Sequence, residues 1–382
     1  MLTSTYPVLV NAFARLQAPD FVQRLSSKVA EKHNVTVVAP TPAGRAHRLE
    51  AKGLSEVFFP FFLSSRSSII GEGGILDRLR ARKTRIVQVP LLVIAHLISA
   101  TVEIFNGRGQ VILHAHWLIY SGLIGVVLKR LIFWRDIKLV LTIHGSDSFF
   151  FRYRGTRSLC KLVLNSSDAV TCVSPLLTDT VKDLFDVDAR EMPMGVPDSL
   201  FEHSGKYQRS AGRILFVGRV VRAKGINHIL PALQLLPPPF HLVIVGGGPY
   251  LASFKQKVAD MGLSNRVFFR GWLDERGVME EFLTAVCLVL PSESEGFSVT
   301  VLEAMAAKLP IVGNNIPAIK QQLSYGRGYL IDVTNSLEFA KAISLGALID
   351  PEVVERANSY AGQYRWSRVA EGYRRLYEEI SS

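Results

Sequence analysis

Short apolar runs alternate with helical segments along nearly the whole chain, and this alternation limits the possible folds more than any other feature. The candidate buried strands are residues 34–40, 110–114, 138–144, 169–173, 213–217, 241–245, 267–270, 287–291, 310–312 and 329–331. Helical segments lie between many of them, at residues 20–32, 121–131, 226–236, 249–261, 278–285 and 300–308. Apolar strands joined by helices are typical of parallel β-α-β units whose sheets are covered on both faces. The pattern therefore predicts an α/β protein.

A polar passage at residues 198–209 separates two such alternating stretches. A chain of 382 residues is long enough for two or three domains of ordinary size. We therefore expect two Rossmann-like domains, residues 1–200 and residues 208–365. Open parallel sheets bind ligands at the carboxyl ends of their strands, and a cleft between two such domains is the expected active site.

The positive charge of the chain belongs entirely to its first part. The net charge is +11, and we count +13 in residues 1–165 and −2 in residues 166–382. An excess of this kind indicates an anionic partner, such as a membrane surface, a nucleic acid or a charged polymer. The basic cluster within residues 78–85 has no interleaved aromatic residues, and no nucleic-acid-binding motif is present, so we expect no nucleic-acid partner.

The most apolar segment, residues 86–105, follows this basic cluster directly. It contains Gln88, Pro90, His96 and Glu103, and a charged group near the bilayer centre costs roughly 2.5–3.5 kcal/mol on insertion scales. Three interpretations stay open: a transmembrane helix, a buried core helix, or a helix lying on an anionic membrane with the help of residues 78–85. The N-terminal sequence lacks the pattern of a signal peptide. The three cysteines show no CxxC spacing, which excludes a disulfide scaffold and a cysteine zinc site and fits a reducing compartment.

Two glutamates eight residues apart, Glu295 and Glu303, form the most informative motif. Gly296, Phe297 and Ser298 lie between them and open a predicted helix. Helical periodicity would place both carboxylates about two turns apart on nearly one face. Carboxylates accept hydrogen bonds from vicinal hydroxyls, and the free N–H groups at a helix start bind phosphate or sugar oxygens. The alternative is a helix with one capping and one solvated glutamate.

Two further loops follow predicted strands of the second domain. The first ends its strand at Gly218 and continues with Arg219 and Lys224, two cations able to clamp a diphosphate; Arg222 could substitute for either. The second, at residues 245–249, includes Gly247, and its glycines would let the backbone approach a ligand closely. This glycine run is not a complete dinucleotide-binding fingerprint.

In the first domain, histidines end two consecutive predicted strands. His114 and His116 end one of them, and His144 begins the sequence His-Gly-Ser-Asp, which ends at Asp147, after the other. Both groups lie where the cleft is expected, so they are candidates for the active site. The alternative for each histidine is an ordinary buried or surface role.

In this order and combination, the motifs resemble those of the retaining glycosyltransferases of family 4, which have the GT-B fold. The resemblance covers nearly the whole chain. It implies that Arg219 and Lys224 bind the donor diphosphate, that Glu295 faces the donor sugar and that Glu303 binds the nucleotide ribose. The implied donor-binding set is Gly218, Arg219, Lys224, Gly247, Glu295, Gly296, Phe297, Ser298 and Glu303.

The resemblance also assigns roles in the first domain. It places His116 next to the transferred sugar, with His114 as the second choice, and His144 and Asp147 on the acceptor side. The implied catalytic set is His116, Glu295, Arg219 and Lys224. Residues 366–382 resemble the last helix of the family, which crosses back to the N-terminal domain. The first loop, within residues 4–22, lacks the Gly-Gly pair of many members, so the resemblance gives its backbone no phosphate-binding role.

The implied activity is transfer of a hexosyl or N-acetylhexosaminyl group from a UDP- or GDP-sugar to a glycan or lipid-linked glycan, with retention at the anomeric carbon. We expect a role in polysaccharide or cell-envelope glycan synthesis, at a cytoplasmic site that includes the inner face of the membrane. No metal or other cofactor is expected, because two cations take the place of the metal; Asp186 and Asp188 only superficially match the DxD of metal-dependent transferases. The alternatives are a non-catalytic nucleotide-sugar- or glycan-binding protein, a GT-B sugar-nucleotide epimerase and, with less support, a nicotinamide-dependent oxidoreductase.

Overall fold

The computed structural model describes residues 1–3, 9–11, 14–15, 21–41, 46–62, 69–70, 79 and 82–382. Most of the first loop, and Arg78 and Arg80 of the basic cluster, lie outside these residues. The chain divides into two compact units. The first unit consists of Met1–Met194 and Trp366–Ser382, and the second is Gly195–Arg365.

The first unit is an α/β unit, as the alternation of strands and helices predicts. Its described strands are β1 (Leu9–Asn11), β2 (Ala14–Arg15), β3 (Val35–Thr41), β4 (His47–Ala51), β5 (Leu54–Pro60), β6 (Val111–His116), β7 (Ile137–Ile143), β8 (Ala169–Cys172) and β9 (Arg190–Glu191). Its described helices are α1 (Phe21–Val29), α2 (Gln88–Asn106), α3 (Tyr120–Leu131), α4 (Arg154–Ser166) and α5 (Pro175–Phe185).

Two blocks of sheet in this unit are joined by the first residues of the chain. β3, β5 and β4 form one block, and β6, β7, β8 and β9 form the other, which is parallel throughout. Leu2 bridges Val38 of β3 and Ala115 of β6, both in parallel. Its N–H donates to the carbonyl of His114, and its own carbonyl accepts from the N–H of His116. Residues 1–3 therefore occupy the place of a central strand.

The last helix, α14 (Trp366–Ser381), returns to the first unit. Its buried face includes Trp366, Tyr373 and Tyr377, which pack with residues of α1 and β3. The predicted return of residues 366–382 to the N-terminal domain is confirmed.

The second unit contains one parallel six-stranded sheet. Its strands are β10 (Arg213–Val217), β11 (His241–Val245), β12 (Val267–Gly271), β13 (Cys287–Leu290), β14 (Ile311–Asn314) and β15 (Tyr329–Ile331), in the order β12-β11-β10-β13-β14-β15. Its helices are α6 (Asp198–His203), α7 (Ile229–Leu235), α8 (Leu251–Asp260), α9 (Glu275–Thr284), α10 (Val299–Ala306), α11 (Pro317–Leu323), α12 (Ser336–Gly346) and α13 (Pro351–Ala361). Apolar side chains cover both faces of the sheet, which explains why its strands read as continuous apolar runs.

The order of these strands creates a switch point. β10 pairs with β11 on one side and with β13 on the other, so the chain leaves β10 and β13 in different directions. Loops that diverge from adjacent parallel strands leave a crevice at the carboxyl ends, where such sheets bind ligands.

Candidate functional site

The loops after β10 and β13 bring Lys224 and Glu295 together at this switch point. The Lys224 ammonium lies 2.5 Å from Oε1 of Glu295. The hydroxyl of Ser292 donates to the same carboxylate oxygen at 2.8 Å. Glu295 is largely buried and Lys224 is partly exposed. A cation and a carboxylate thus lie side by side where the two loops meet.

Gly225 allows these two loops to meet. It has a φ of +62°, and a Cβ atom at this position would lie 1.9 Å from the carbonyl oxygen of Pro291. Only glycine fits a left-handed conformation this close to another backbone. The approach of Pro291 to Gly225 brings the start of the Glu295 loop beside Lys224.

Two other glycines of the site allow the loops after β10 and β11 to pack closely against each other. A Cβ on Gly246 would lie 2.1 Å from the carbonyl oxygen of Gly218, and one on Gly248 would lie 2.4 Å from that of Val220. At these two positions, the close packing of two loops already requires glycine. The space into which a Cβ atom would project is filled by the loop after β10.

We expect Gly246→Ala to destabilise the second unit by about 2 kcal/mol or more, because a φ of +119° and a backbone contact leave no room for Cβ. Urea unfolding of the whole chain measures the effect. Gly362→Ala, in the same unit with open space around the glycine, is the matched control. Equal stability of the two variants would contradict the close contact between Gly246 and the backbone of Gly218.

Gly247 lies beneath the side chain of Trp272. A Cβ on Gly247 would lie 2.6 Å from Nε1 of Trp272, so the indole covers this glycine. The Trp272 side chain is half exposed. It therefore forms part of the accessible surface at the ends of β11 and β12.

The two glutamates do not share a helix face. α10 begins at Val299, and Glu295 lies in the loop before it, whereas Glu303 lies within the helix. The predicted placement of both carboxylates on one helix is wrong, because Ser298 caps the helix start by accepting from the N–H of Val301. Arg219 is exposed directly after Gly218.

A buried glutamine holds the loop between Glu295 and α10. Oε1 of Gln322 accepts from the N–H of Ser298 at 3.1 Å, and its Nε2 donates to the Ser298 carbonyl at 2.9 Å. Both backbone groups of Ser298 are thus satisfied by one side chain. Gly296 is exposed, and Phe297 lies 5.9 Å from the ring of Tyr364. No sequence pattern pointed to Gln322, because the contact joins positions 24 residues apart.

In the first unit, His114 belongs to a buried hydrogen-bond network. Its Nδ1 lies 2.6 Å from the hydroxyl of Tyr377, and its Nε2 lies 2.6 Å from that of Thr142. Thr142 continues the network to Thr171 at 2.7 Å and to Tyr373 at 3.1 Å. Both ring nitrogens of His114 are occupied, so its geometry fixes α14 onto the sheet.

His116 and His144 form a second buried pair. Nδ1 of His116 lies 3.3 Å from Nε2 of His144, and Phe21 packs against both rings. Among the described residues, Nε2 of His116 has no hydrogen-bond partner. Burial lowers the pKa of all three histidines of this region, that of His144 to about 3. Burial therefore favours the neutral form of the His116 imidazole, and its Nε2 is open to another group as far as the described residues show.

Asp147 joins the loops after β6 and β7. One carboxyl oxygen accepts from the N–H of His144 at 2.8 Å and the other from that of Leu118 at 3.2 Å. Burial raises the pKa of Asp147 to about 7. In the loop after β6, Trp117 has a φ of +71°, which is unusual for a bulky residue and marks a strained backbone.

The two aspartates of the DxD-like sequence lie on the surface. Asp186 and Asp188 are almost fully exposed, and both bind the ammonium of Lys182, at 3.0 and 3.1 Å. Their carboxylates are thus engaged by a cation of the same chain.

Comparison with known proteins places the chain in a family. The model for Glycosyltransferase Family 4 matches residues 20–199, and that for Glycosyl transferases group 1 matches residues 203–363. The uncharacterized glycosyltransferase MJ1178 of Methanocaldococcus jannaschii is 26% identical, over 73% of this chain and 78% of its own length. The N-acetyl-alpha-D-glucosaminyl L-malate synthase of Bacillus anthracis is 26% identical, over 74% of this chain and 78% of its own length.

A solved structure has the same fold. HepE of Anabaena in complex with UDP superposes with a TM-score of 0.64 at 14% identity, and the match covers 94% of this chain and 95% of HepE. The predicted GT-B fold, with two Rossmann-like domains, is confirmed. The chain therefore belongs to glycosyltransferase family 4, and it is an enzyme of the hexosyltransferase class.

Proposed function

We propose that the second unit binds a nucleoside diphosphate sugar and that the first unit binds a glycan or lipid-linked glycan acceptor. The enzyme would move a hexosyl or N-acetylhexosaminyl group to an acceptor hydroxyl with retention at the anomeric carbon. The observation that carries this proposal is the Lys224–Glu295 pair at the switch point between β10 and β13.

The pair suggests how the donor is handled. A donor diphosphate would draw the Lys224 ammonium to itself, and Arg219 would add a second, forked cation. The Glu295 carboxylate would then accept from donor-sugar hydroxyls, while Ser292 continues to orient it. As the bond to the sugar breaks, negative charge grows on the leaving diphosphate, and cations already in place stabilise it most.

In this proposal, side chains neutralise the negative charge of the donor diphosphate, so no metal ion is needed. Arg219 and Lys224 supply two positive charges in one loop. The proposal therefore expects nucleotide release to be the same with and without EDTA. A rate restored only by a divalent cation would contradict this part of the proposal.

In the first unit, we propose that His116 contacts the transferred sugar through Nε2, which has no hydrogen-bond partner among the described residues. His144 supports it from the other ring nitrogen. His144 and Asp147 are proposed to line the acceptor side. The geometry favours a positioning role for Asp147, because both of its oxygens already accept backbone N–H groups.

The donor and the setting are also proposals. HepE is described with UDP, and the Bacillus anthracis relative is named for an N-acetylglucosaminyl product, so we propose a UDP-sugar first and a GDP-sugar second. The basic first part of the chain supports an acceptor at an anionic membrane surface, reached from the cytoplasm, in polysaccharide or cell-envelope glycan synthesis.

The decisive experiment measures nucleotide release from a panel of UDP-, GDP- and ADP-sugars, with and without a membrane lipid extract. We expect release from one donor, stimulated by the extract and lost in Glu303→Ala. Glu338→Ala, at the exposed start of α12, is the matched control and should keep full activity. NMR of the product from that donor tests retention.

The other outcomes identify the alternatives. Binding of a donor without release under any condition would favour a non-catalytic binding protein. Conversion of the sugar while it stays on the nucleotide would favour an epimerase. Release that Glu303→Ala leaves unchanged would contradict the assignment of the donor site.

A further inference from the structure

Helix α2 presents an apolar face to solvent. Its exposed side, with the turn before it, consists of Ile86, Val87, Leu91, Ile94, Ile98, Val102 and Phe105. These side chains are 47–65% exposed. From Val87 onward they recur every three or four residues, so they lie along one side of the helix. Surface helices of soluble domains normally carry charged and polar side chains on this side.

The opposite side of α2 already belongs to the core. Leu92, His96, Ala100 and Ile104 are buried, and the helix packs against β3, β5 and α3. Among the described residues, this is the one helix long and apolar enough to cross a membrane. Crossing would require the buried side to leave the sheet. The structure therefore favours a helix that lies along a surface.

The exposed side carries no charge between Ile86 and Asn106. The single charged residue of α2 is Glu103, which is largely buried and paired with Arg48. The exposed side chains are therefore not a mixed surface with occasional apolar residues. They form a continuous apolar strip along nearly five turns of helix.

A second element extends this strip. Leu131, Phe133 and Trp134, at the end of α3, are 64%, 80% and 62% exposed. The ring of Trp134 lies 6.4 Å from that of Phe105 and 5.2 Å from that of Phe133. The exposed apolar residues of α2 and these three residues, taken together, are called the apolar ridge below.

Cations flank the ridge at both ends. Residues 82–108 and 129–136 contain seven Lys or Arg and two acidic residues. Arg82 and Lys83 are exposed before α2, Arg108 is exposed after it, and Arg130 is exposed in the last turn of α3. Arg135 is used differently, because it donates to the carbonyls of Ile104, Gly107 and Gly109 at the end of the helix. An apolar strip flanked by exposed cations complements an interface of acyl chains and anionic headgroups.

We propose that the apolar ridge inserts into the surface of an anionic lipid bilayer, parallel to the membrane plane, with its flanking cations on the headgroups. The proposal deepens the proposed function by naming the surface on which a lipid-linked acceptor would be met. Exposed Trp and Phe side chains are well suited to the boundary between headgroups and acyl chains. A symmetric contact between two copies of the chain is less favourable, because it would bring the same cation-rich surfaces together.

The test is co-sedimentation of the full chain, without donor or acceptor, with vesicles of phosphatidylglycerol and phosphatidylcholine or of phosphatidylcholine alone. We expect binding to the anionic vesicles at low salt, weakened in about 0.5 M salt, where the Debye length is only about 4 Å. The double variants F133S/W134S and I94Q/I98Q should each lower the partition coefficient roughly tenfold or more, because the apolar area that they insert is lost.

The matched control is L345Q/L348Q, which replaces two apolar residues of the second unit that are also well exposed. This variant should bind vesicles as the wild type does. Arg82→Gln combined with Lys83→Gln should weaken binding to anionic vesicles and leave the thermal melting unchanged. Circular dichroism of each variant establishes that it is folded, and two separate ridge variants keep the test valid if one is not.

Three outcomes would overturn the proposal: no binding to anionic vesicles at low salt, equal binding by ridge and control variants, or self-association that the ridge variants abolish in the absence of vesicle binding. The vesicle assay needs no catalysis. If vesicles bind but no donor is turned over, the proposed function fails and the docking surface stands. If a donor is turned over but vesicles do not bind, the docking surface fails and the proposed function stands.

Discussion

Lys224→Met should lower nucleotide release by roughly a hundredfold or more, because a cation aimed at a leaving group is often worth about 3 kcal/mol in the transition state. The methionine keeps much of the apolar stem of lysine and removes the charge. In the structure, the loss also leaves the Glu295 carboxylate with Ser292 as its remaining described side-chain donor. Steady-state kinetics with the donor identified in the panel measures the effect.

Lys308→Met is the matched control for this variant. Lys308 is exposed to a similar extent, 32% against 28%, and also pairs with a glutamate, Glu355. Surface ion pairs contribute little to stability, so this variant should keep both the activity and the melting temperature. A similar loss of activity in both lysine variants would show that the effect of Lys224→Met is not specific to the donor site.

Acid should destabilise the protein steeply between pH 6.5 and about pH 3. Burial lowers the pKa of His96, His114, His116 and His144, those of His96 and His144 to about 3. Near pH 5 the unfolded chain therefore binds about four more protons at these positions than the folded chain does. Stability rises with pH wherever the unfolded state binds more protons, so it falls as the pH drops through this window.

Asp147 changes the pH dependence of stability in the opposite direction. Its raised pKa, about 7, gives stability that is present below the unfolded pKa and is lost as the pH rises toward 7. For these five groups together, subtracting this one proton leaves a difference of about three protons near pH 5, or up to about 4 kcal/mol per pH unit. Urea unfolding at a series of pH values measures this slope.

His96→Leu tests, away from the proposed active site, whether buried neutral histidines cause the loss of stability in acid. In the folded chain, His96 is buried between Phe59 and Tyr120. Replacing it should reduce the slope by about one proton, whatever its effect on stability at neutral pH. Phe59→Leu perturbs the same part of the core without removing a titrating group and should leave the slope unchanged. Equal slopes for His96→Leu and the wild type would contradict the role of His96.

The sequence was sufficient for the alternation of strands and helices that predicts an α/β fold, and for the placement of Lys224 and Glu295 after apolar strands. Both lie in loops that follow apolar strands, and the carboxyl ends of adjacent parallel strands necessarily meet. It was not sufficient for β4, which is exposed along its whole length and therefore has no apolar pattern. Spacing alone also placed Glu295 on a helix that in fact starts later, at Val299.

The residues that hold the site in place were not predictable for a different reason. Gln322 binds the backbone of Ser298, and Tyr377 binds His114 from a position 263 residues away. Contacts between distant positions leave no local periodicity. The glycines at 246 and 248 were recognised as special, but a single sequence does not tell whether a ligand or another loop fills the space beside them.

The return of α14 to the first unit has a consequence for the synthesis of the chain. The second unit, Gly195–Arg365, is complete in the nascent polypeptide before Trp366, Tyr373 and Tyr377 have been made. Domains generally fold as units while the chain emerges from the ribosome. The first unit is therefore synthesised first but completed last. Its core stays open along α1 and β3 until α14 leaves the ribosome.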